Sequence, residues 1–443
     1  MRIELSNSIL KSFIKYVSFN VISMIGLSCY ILADTFFVAN GVGSIGLTAL
    51  NLVLPAYSLI SGIGLMIGMG AATKYSIYRG RNNKEKANKV FTNSIILGFL
   101  VGLILTIVGI SFSYDIASLL GADKNVNPLA GVYLKTILMF SCAFIINNII
   151  ICFIRNDDNP NLSMIAMLLG SFSNIILDYI FIFPFKLGMF GAAFATGLAP
   201  VISLIALSLH FIKKKNNFKF IKCKISKYYI KNIISLGIPS FITEFSSGII
   251  MLLFNFTILD IANNIGVAAY GVIANLALIV VAIFTGIAQG IQPIISKNYG
   301  EGKSKNVKII YKYALITAAV VGSLCYLLGI VFSEEIINVF NKERNQELFS
   351  IANEGIKIYF TAFFIMGLNI VTTSFFASIN EAKESFIISI IRGLIVVIPL
   401  ILLLSRLFGM TGVWITIPLA EVSTLLISIM LYLKYTQGVK EEK

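Results

Sequence analysis

Twelve apolar runs, each near the length that crosses a bilayer, follow one another along almost the whole chain. They lie at about 13–39, 49–77, 91–113, 131–154, 162–184, 189–212, 232–258, 266–295, 310–332, 354–378, 385–404 and 411–434. A hydrocarbon core about 30 Å thick takes roughly 20 helical residues. Inside it every backbone N–H and C=O must be paired within the protein, which segments of this length achieve as helices. The expected fold is an all-α polytopic membrane bundle. Composition agrees: 13% of the 443 residues are charged, against roughly 25% in soluble domains. No polar stretch is long enough for a separate soluble domain. The opening MRIELSNSILKSF lacks the small-residue cleavage site of a signal peptide, so the first helix is expected to direct insertion into the cell membrane.

The net charge of +14 would suggest nucleic acid in a soluble protein. Here the cations cluster in alternate connections. Arg79, Arg81, Lys84, Lys86 and Lys89 follow the second span, and Lys297, Lys303, Lys305 and Lys308 follow the eighth. The connection after the sixth is richer still, with eight lysines between Lys213 and Lys231. The opposite connections are short or acidic, as at Asp115 and Asp123 or Glu334 and Glu335. This alternation follows the positive-inside rule and implies anionic lipid, not nucleic acid, with both termini cytoplasmic. The five cysteines show no CxxC spacing and read as packing residues, and His210 is the only histidine. Neither a His-rich metal site nor a cofactor is expected.

The long basic connection divides the chain into 1–212, a loop at 213–231, and 232–443. The two large parts resemble each other. GAATKYSIYRG from Gly70 matches GIQPIISKNYG from Gly290, IGLTAL from Ile45 matches IGVAAY from Ile265, and GMFGAAFATGLAP from Gly188 matches GMTGVWITIPLAE from Gly409. Six spans per repeat preserve orientation, so the repeats are parallel, related by an axis along the membrane normal. Two six-helix lobes around a cavity are the physical form of an alternating-access transporter. A monomer is expected.

Charges inside the spans are few, and such residues are costly unless they face a cavity or a partner. Asp178 lies deep in the fifth span, in SNIILDYIFIF, with Asn174 one turn before it on the same face. Asp34 lies late in the first span. A closed lobe could bring Asp34 and Asp178 together. Two such carboxylates cannot both stay ionised without a cation, so the pair is expected to bind a proton or Na⁺. Asn174 and Thr196 add neutral oxygens that suit Na⁺. Glu244, in the seventh span, is a second cation site or attracts a cationic substrate. Glu421, in the twelfth, is either that or an interhelical hydrogen-bond partner. Asn147 and Asn148 place two amides in the fourth span. Gln289 and Gln292 are expected to manage a bend beside Pro293, and Arg392 to reach toward the membrane surface.

With these residues in view, the chain resembles the multidrug and toxic compound extrusion (MATE) transporters. The resemblance rests on ADTFFVANGVGSIGLTAL, GIGLMIGMGAATKYSIYRGRNNKEKA, NIILDYIFIF with GAAFATG, and GIAQGIQPIISKNYGEGK, and it spans essentially all twelve runs. It implies a V-shaped pair of lobes that exports cationic or amphipathic drugs against inward Na⁺ or H⁺ flow, as in bacterial drug exporters. It places Asp34, Asn174, Asp178 and Thr196 on the family's cation site, Asn147 or Asn148 on a fourth-helix amide, and Glu244 on an acidic position of helix seven. Two departures stand out. NIVTTSFFASIN in span ten lacks the Asp that pairs with the helix-seven acid in one branch, and SFNVISMIGLS lacks the first-helix proline of many members. An alternative within the superfamily is a lipid-linked oligosaccharide flippase, which the mostly acidic deep charges disfavour. An intramembrane enzyme is disfavoured by the absence of a His/Glu metal motif or a Ser–Lys dyad.

Overall fold

The 74-residue helical stretch Lys227–Gly300 would measure about 110 Å if straight, several bilayer cores. It is not straight. Ala262 and Asn263 leave helical geometry, with Asn263 at φ 51°. Phe254 and Tyr270, on either side of the break, then stack with ring centroids 5.4 Å apart. The stretch is two antiparallel spans, the seventh and eighth. The final helical stretch turns back in the same way at Gly409, φ 58°, separating spans eleven and twelve.

The computed structural model describes residues 2–341 and 344–441, with no strand among them. Span one is Arg2–Gly41, span two Ser44–Gly80 and span three Lys84–Leu119. Span four is Asn127–Met139 continued by Ser141–Asn156 after a 49° bend. Spans five and six are Pro160–Ile182 and Gly188–Ile212, and span nine is Ser304–Val331. Span ten is Gln346–Ser378, and span eleven opens with Ala382–Ile390 and a π turn at Ile391–Ile395. The twelve expected spans are therefore present. Their starts follow local chemistry. Asn83 and Asn159 accept hydrogen bonds from the first-turn N–H groups of Lys86 and Leu162, and Pro160 occupies the first turn of span five.

The corners carry the repeat. Left-handed residues pair as Gly43 with Asn263, Asn82 with Gly302, Gly121 with Arg344, Asp158 with Asn380 and Gly188 with Gly409, each pair 220 to 223 positions apart. All five inter-span corners of the first half thus recur in the second. Two apolar cores follow. One joins residues of spans one to six with Phe218 and Ile233. The other joins spans seven to twelve with Ile9, Phe13 and Val17, so the start of span one packs into the second core.

The halves meet tightly at the basic end. A Cβ on Gly70 would overlap the Ile233 carbonyl, and one on Gly237 the Met66 carbonyl. By the repeat, Gly290 and Gly286 lie likewise against Val17 and Val21, and Gly80 against Gly300. A polar seam joins them. Gln292 Nε2 donates to Thr73 Oγ1 at 3.0 Å, and Asn156 Nδ2 to Gln292 Oε1 at 2.9 Å. Asp158 accepts from Arg79 at 2.6 Å, from Lys297 at 3.3 Å and from Tyr16 at 3.4 Å. This corrects the reading of Gln289 and Gln292 as local bend residues: both bridge the halves, Gln289 through Arg155 at 2.7 Å.

The basic connection is docked, not free. Phe218 is fully buried among Phe91, Phe153 and Tyr75. The N–H groups of Lys219, Ile221 and Ser226 donate to Asn88, Thr92 and Asn93 at 3.0 to 3.1 Å. Asp157 anchors it, accepting from Asn217 N–H at 2.8 Å, His210 Nε2 at 3.0 Å and Tyr75 OH at 2.6 Å. Burial alone raises the Asp157 carboxyl, but the donors on His210, Tyr75 and Asn217 outweigh it and hold the group below the usual carboxylate range. Docking strength from this source is therefore complete above the unfolded value near ~3.9 and is lost as pH falls below it. Asp157→Asn is expected to speed amide hydrogen exchange at 219–226 about tenfold at neutral pH, the size of one charge-assisted bond. An unchanged rate would assign the docking to Phe218 and the Asn88, Thr92 and Asn93 acceptors instead.

Candidate functional site

Span five puts Asn174 and Asp178 on one inward face, and both side chains are fully buried. Span one brings Asp34 against them, at 7% exposure, and span six brings Thr196, at 3%. The carboxyls of Asp34 and Asp178 lie within hydrogen-bonding reach of each other. Each leaves an Oδ1 buried with no protein donor. In the amide orientation that satisfies both ends of Asn174, Nδ2 donates to Asp178 Oδ2 at 3.1 Å and Oδ1 accepts from Thr196 N–H at 3.1 Å. The Thr196 hydroxyl donates to the Ala192 carbonyl at 3.0 Å. All four residues singled out in the sequence are thus neighbours.

A fifth member was not singled out. Tyr133, in the first segment of span four, is 4% exposed. Its hydroxyl reaches both the Asp34 carboxyl and the Thr196 hydroxyl. A tyrosine in an apolar helix carries no pattern that separates it from packing residues; the only available signal was that a buried hydroxyl needs a partner. The cluster is lined by hard oxygen atoms, two of them unpartnered carboxyl oxygens, which is a donor set suited to a proton or a small hard cation.

Beside it, walled chiefly by the first half and bounded by Glu244, Thr285 and Gln289 of the second, lies a cavity of about 130 Å³. Its wall includes Tyr30, Tyr57, Asn147, Asn148, Thr196 and Glu244. Tyr30 and Tyr57 share a 2.5 Å hydroxyl contact. Tyr57 stands within electrostatic range of both Asp34 and Glu244. Glu244, on span seven, is half-buried and has Ser61 of span two as its near polar neighbour. Asn148 packs on Gly64, and Asn147 keeps an unpartnered Oδ1. These amides face the cavity; the fourth-span group that reaches Asp34 is Tyr133.

Glu421 is elsewhere. Its Oε1 accepts from Arg392 Nε at 2.8 Å and its Oε2 from Asn369 Nδ2 at 2.8 Å. Arg392 therefore turns inward to a buried carboxylate instead of extending to the membrane surface, because the pair neutralises a charge that would otherwise be buried alone. Glu421 is held by an internal pair within the second half and is not part of the cavity wall. Arg392→Met is expected to lower stability by about 3–5 kcal/mol by stranding Glu421, and adding Glu421→Gln to recover most of it. Thermal unfolding of the single and double variants checks this; strictly additive losses would refute the pairing. Arg155 was also missed, because the apolar run was closed at 154. It is 1% exposed and belongs to the cavity wall.

The sequence model of the MatE family matches residues 20–180 and 239–403. Among curated proteins, the chain is 28% identical over 396 residues to the multidrug export protein MepA of Staphylococcus aureus, covering 88% of this chain and 86% of that one. It is 27% identical over 408 residues to MepA of Staphylococcus saprophyticus, covering 91% and 89%. Among solved structures, an outward-facing multidrug resistance MATE family transporter superposes with TM-score 0.91 at 24% identity, covering 97% of this chain and 96% of that one. A MOP superfamily transporter from Pyrococcus furiosus, described as having a binding pocket of reverse polarity, superposes with TM-score 0.89 at 23% identity, covering 97% and 96%.

Proposed function

This chain belongs to the MatE family, and from that premise we propose that it exports cationic or amphipathic drugs by cation-coupled antiport. The single observation that supports coupling most is the contact between the Asp34 and Asp178 carboxyls, each with an unpartnered oxygen, behind the cavity wall. The coupling ion binds there. Na⁺ is preferred, since the two Oδ1 atoms and the oxygens around Thr196 form an all-oxygen cradle. A proton shared between the two carboxyls is the competing occupant. Loading the site changes the packing of spans one, five and six, which also wall the cavity. The Tyr30–Tyr57 contact carries that change toward Glu244.

The cargo reading follows the MepA relatives and the cavity's chemistry. Glu244 supplies one anionic charge, and Tyr30, Tyr57 and Phe144 supply ring faces for cations. Met24 and Met167 add adaptable apolar surface. The basic face is cytoplasmic by the positive-inside rule, with both termini on that side and anionic lipid against the lysine-rich connections. The glycine contacts then close the cavity toward the cytoplasm, and residues 1–212 and 232–443 move as lobes of a monomer, joined through 213–231.

Drug accumulation in everted membrane vesicles, with a Na⁺ gradient and a pH gradient imposed separately, tests the proposal. A response to Na⁺ alone is expected. Drive by the pH gradient with no Na⁺ response overturns the sodium preference, and drive by neither overturns antiport.

A further inference from the structure

Arg155 ends span four with a buried guanidinium and, among the described residues, no acid to match it. Its Nη1 donates to Asn20 Oδ1 at 2.5 Å and to Gln289 Oε1 at 2.7 Å. Its Nη2 rests on Met69 Sδ at 3.2 Å and Cys152 Sγ at 3.4 Å. Its Nε is buried with no partner. Every one of these neighbours is neutral. The other interior arginines differ: Arg79 is paired with Asp157 and Asp158, and Arg392 with Glu421. A buried charge without a counter-ion is costly, and a tie between spans one, four and eight could be made by a neutral side chain. The group also belongs to the cavity wall, so an anion entering the cavity meets an unspent donor.

The opposite charge in that wall is Glu244, beside Ser61. Ser61 and Met69 are eight residues apart on span two, about 12 Å along the helix axis. Between them the wall combines apolar Leu65, Phe144 and Ile151 with the amides of Asn147 and Asn148. The cavity thus carries a cation at its floor and an acid farther up its wall.

We propose that Arg155 is a binding residue for an anionic group, a carboxylate or similar oxyanion, on the transported molecule. This rests on the reading of the cavity as the drug site. The planar guanidinium suits a carboxylate geometrically, through its unpaired Nε–H and the adjoining Nη.

Two dyes that differ by one ester test it. Rhodamine 110 carries a free carboxylate; rhodamine 123 is its methyl ester and a plain cation. Binding of each to the purified full-length protein is followed by fluorescence anisotropy. Arg155→Met is expected to weaken rhodamine 110 by at least about tenfold, the scale of lost charge-assisted hydrogen bonds, and to leave rhodamine 123 within about twofold. Arg155→Lys should keep part of the rhodamine 110 affinity. Equal losses for both dyes would make Arg155 a tie between helices only, and no loss for either would also refute the proposal. The wild-type protein alone is informative should the Met variant not fold: binding of rhodamine 123 without rhodamine 110 overturns this inference and leaves the drug-cavity reading intact. Binding of neither dye overturns both.

Discussion

Asp178→Asn is expected to abolish drug resistance in cells and ion-driven drug accumulation in vesicles, to the level of membranes without the protein, while its abundance in the membrane stays within about twofold. The physical case separates stability from coupling. Asp178 is fully buried, and its carboxyl faces that of Asp34. An amide of the same shape removes a like-charge contact, so folding should not suffer and thermal stability should hold or rise by about 1 kcal/mol. What disappears is the anionic oxygen that holds the ion. Asp34→Asn should behave alike, and the double variant no worse than either, because the pair acts as a unit. Retained resistance in Asp178→Asn would sink the assignment of the site, and lost abundance would mean that Asp178 serves folding instead.

Gly237→Val is expected to hold the lobes apart at the basic end and to reduce transport more than tenfold. The span-seven backbone at Gly237 lies directly on the Met66 carbonyl of span two, and the span-two backbone at Gly70 lies on the Ile233 carbonyl. A Cβ there meets a backbone atom within a helix, which cannot rotate away as a side chain could. Helix propensity runs the other way, since Val is a better helix former than Gly, so loss of function could not be blamed on the helix. Spin labels at positions 84 and 303, both exposed beside the seam, should report a separation longer by several ångströms, roughly the scale of a helix shift at an interface. Gly271→Ala is the control, because a Cβ there meets nothing within 4 Å. A Gly237→Val protein with unchanged label distance and full transport would show that the close approach is incidental.

Much of this was legible in one dimension for a definite reason. A span in lipid must satisfy its own backbone, so each apolar run is an independent statement about structure, and all twelve appear. The repeat was legible because the same corners recur: Gly188 and Gly409 both adopt left-handed geometry that a residue with a Cβ resists. Asp34 and Asp178 stood out because charge is rare in such segments. Tyr133, Arg155 and the Arg392–Glu421 pair were not legible. Tyrosine is common in apolar helices, and Arg155 sits where an interfacial arginine also sits. Arg392 is at a position from which its long side chain can reach either the membrane surface or the interior, and only the placement of span twelve chooses between them.

The sequence by itself determined the number of spans, their alternating direction, the halving of the chain and the identity of the two deep aspartates, since hydropathy and charge act locally along the chain. Only the tertiary structure decided which groups meet: that Asp34 touches Asp178, that Tyr133 joins them, that Glu421 is neutralised while Arg155 is not, and that glycines let the halves close at one end. Those outcomes depend on which faces of helices distant in sequence are pressed together, and the polar groups on those faces must find partners wherever packing leaves them.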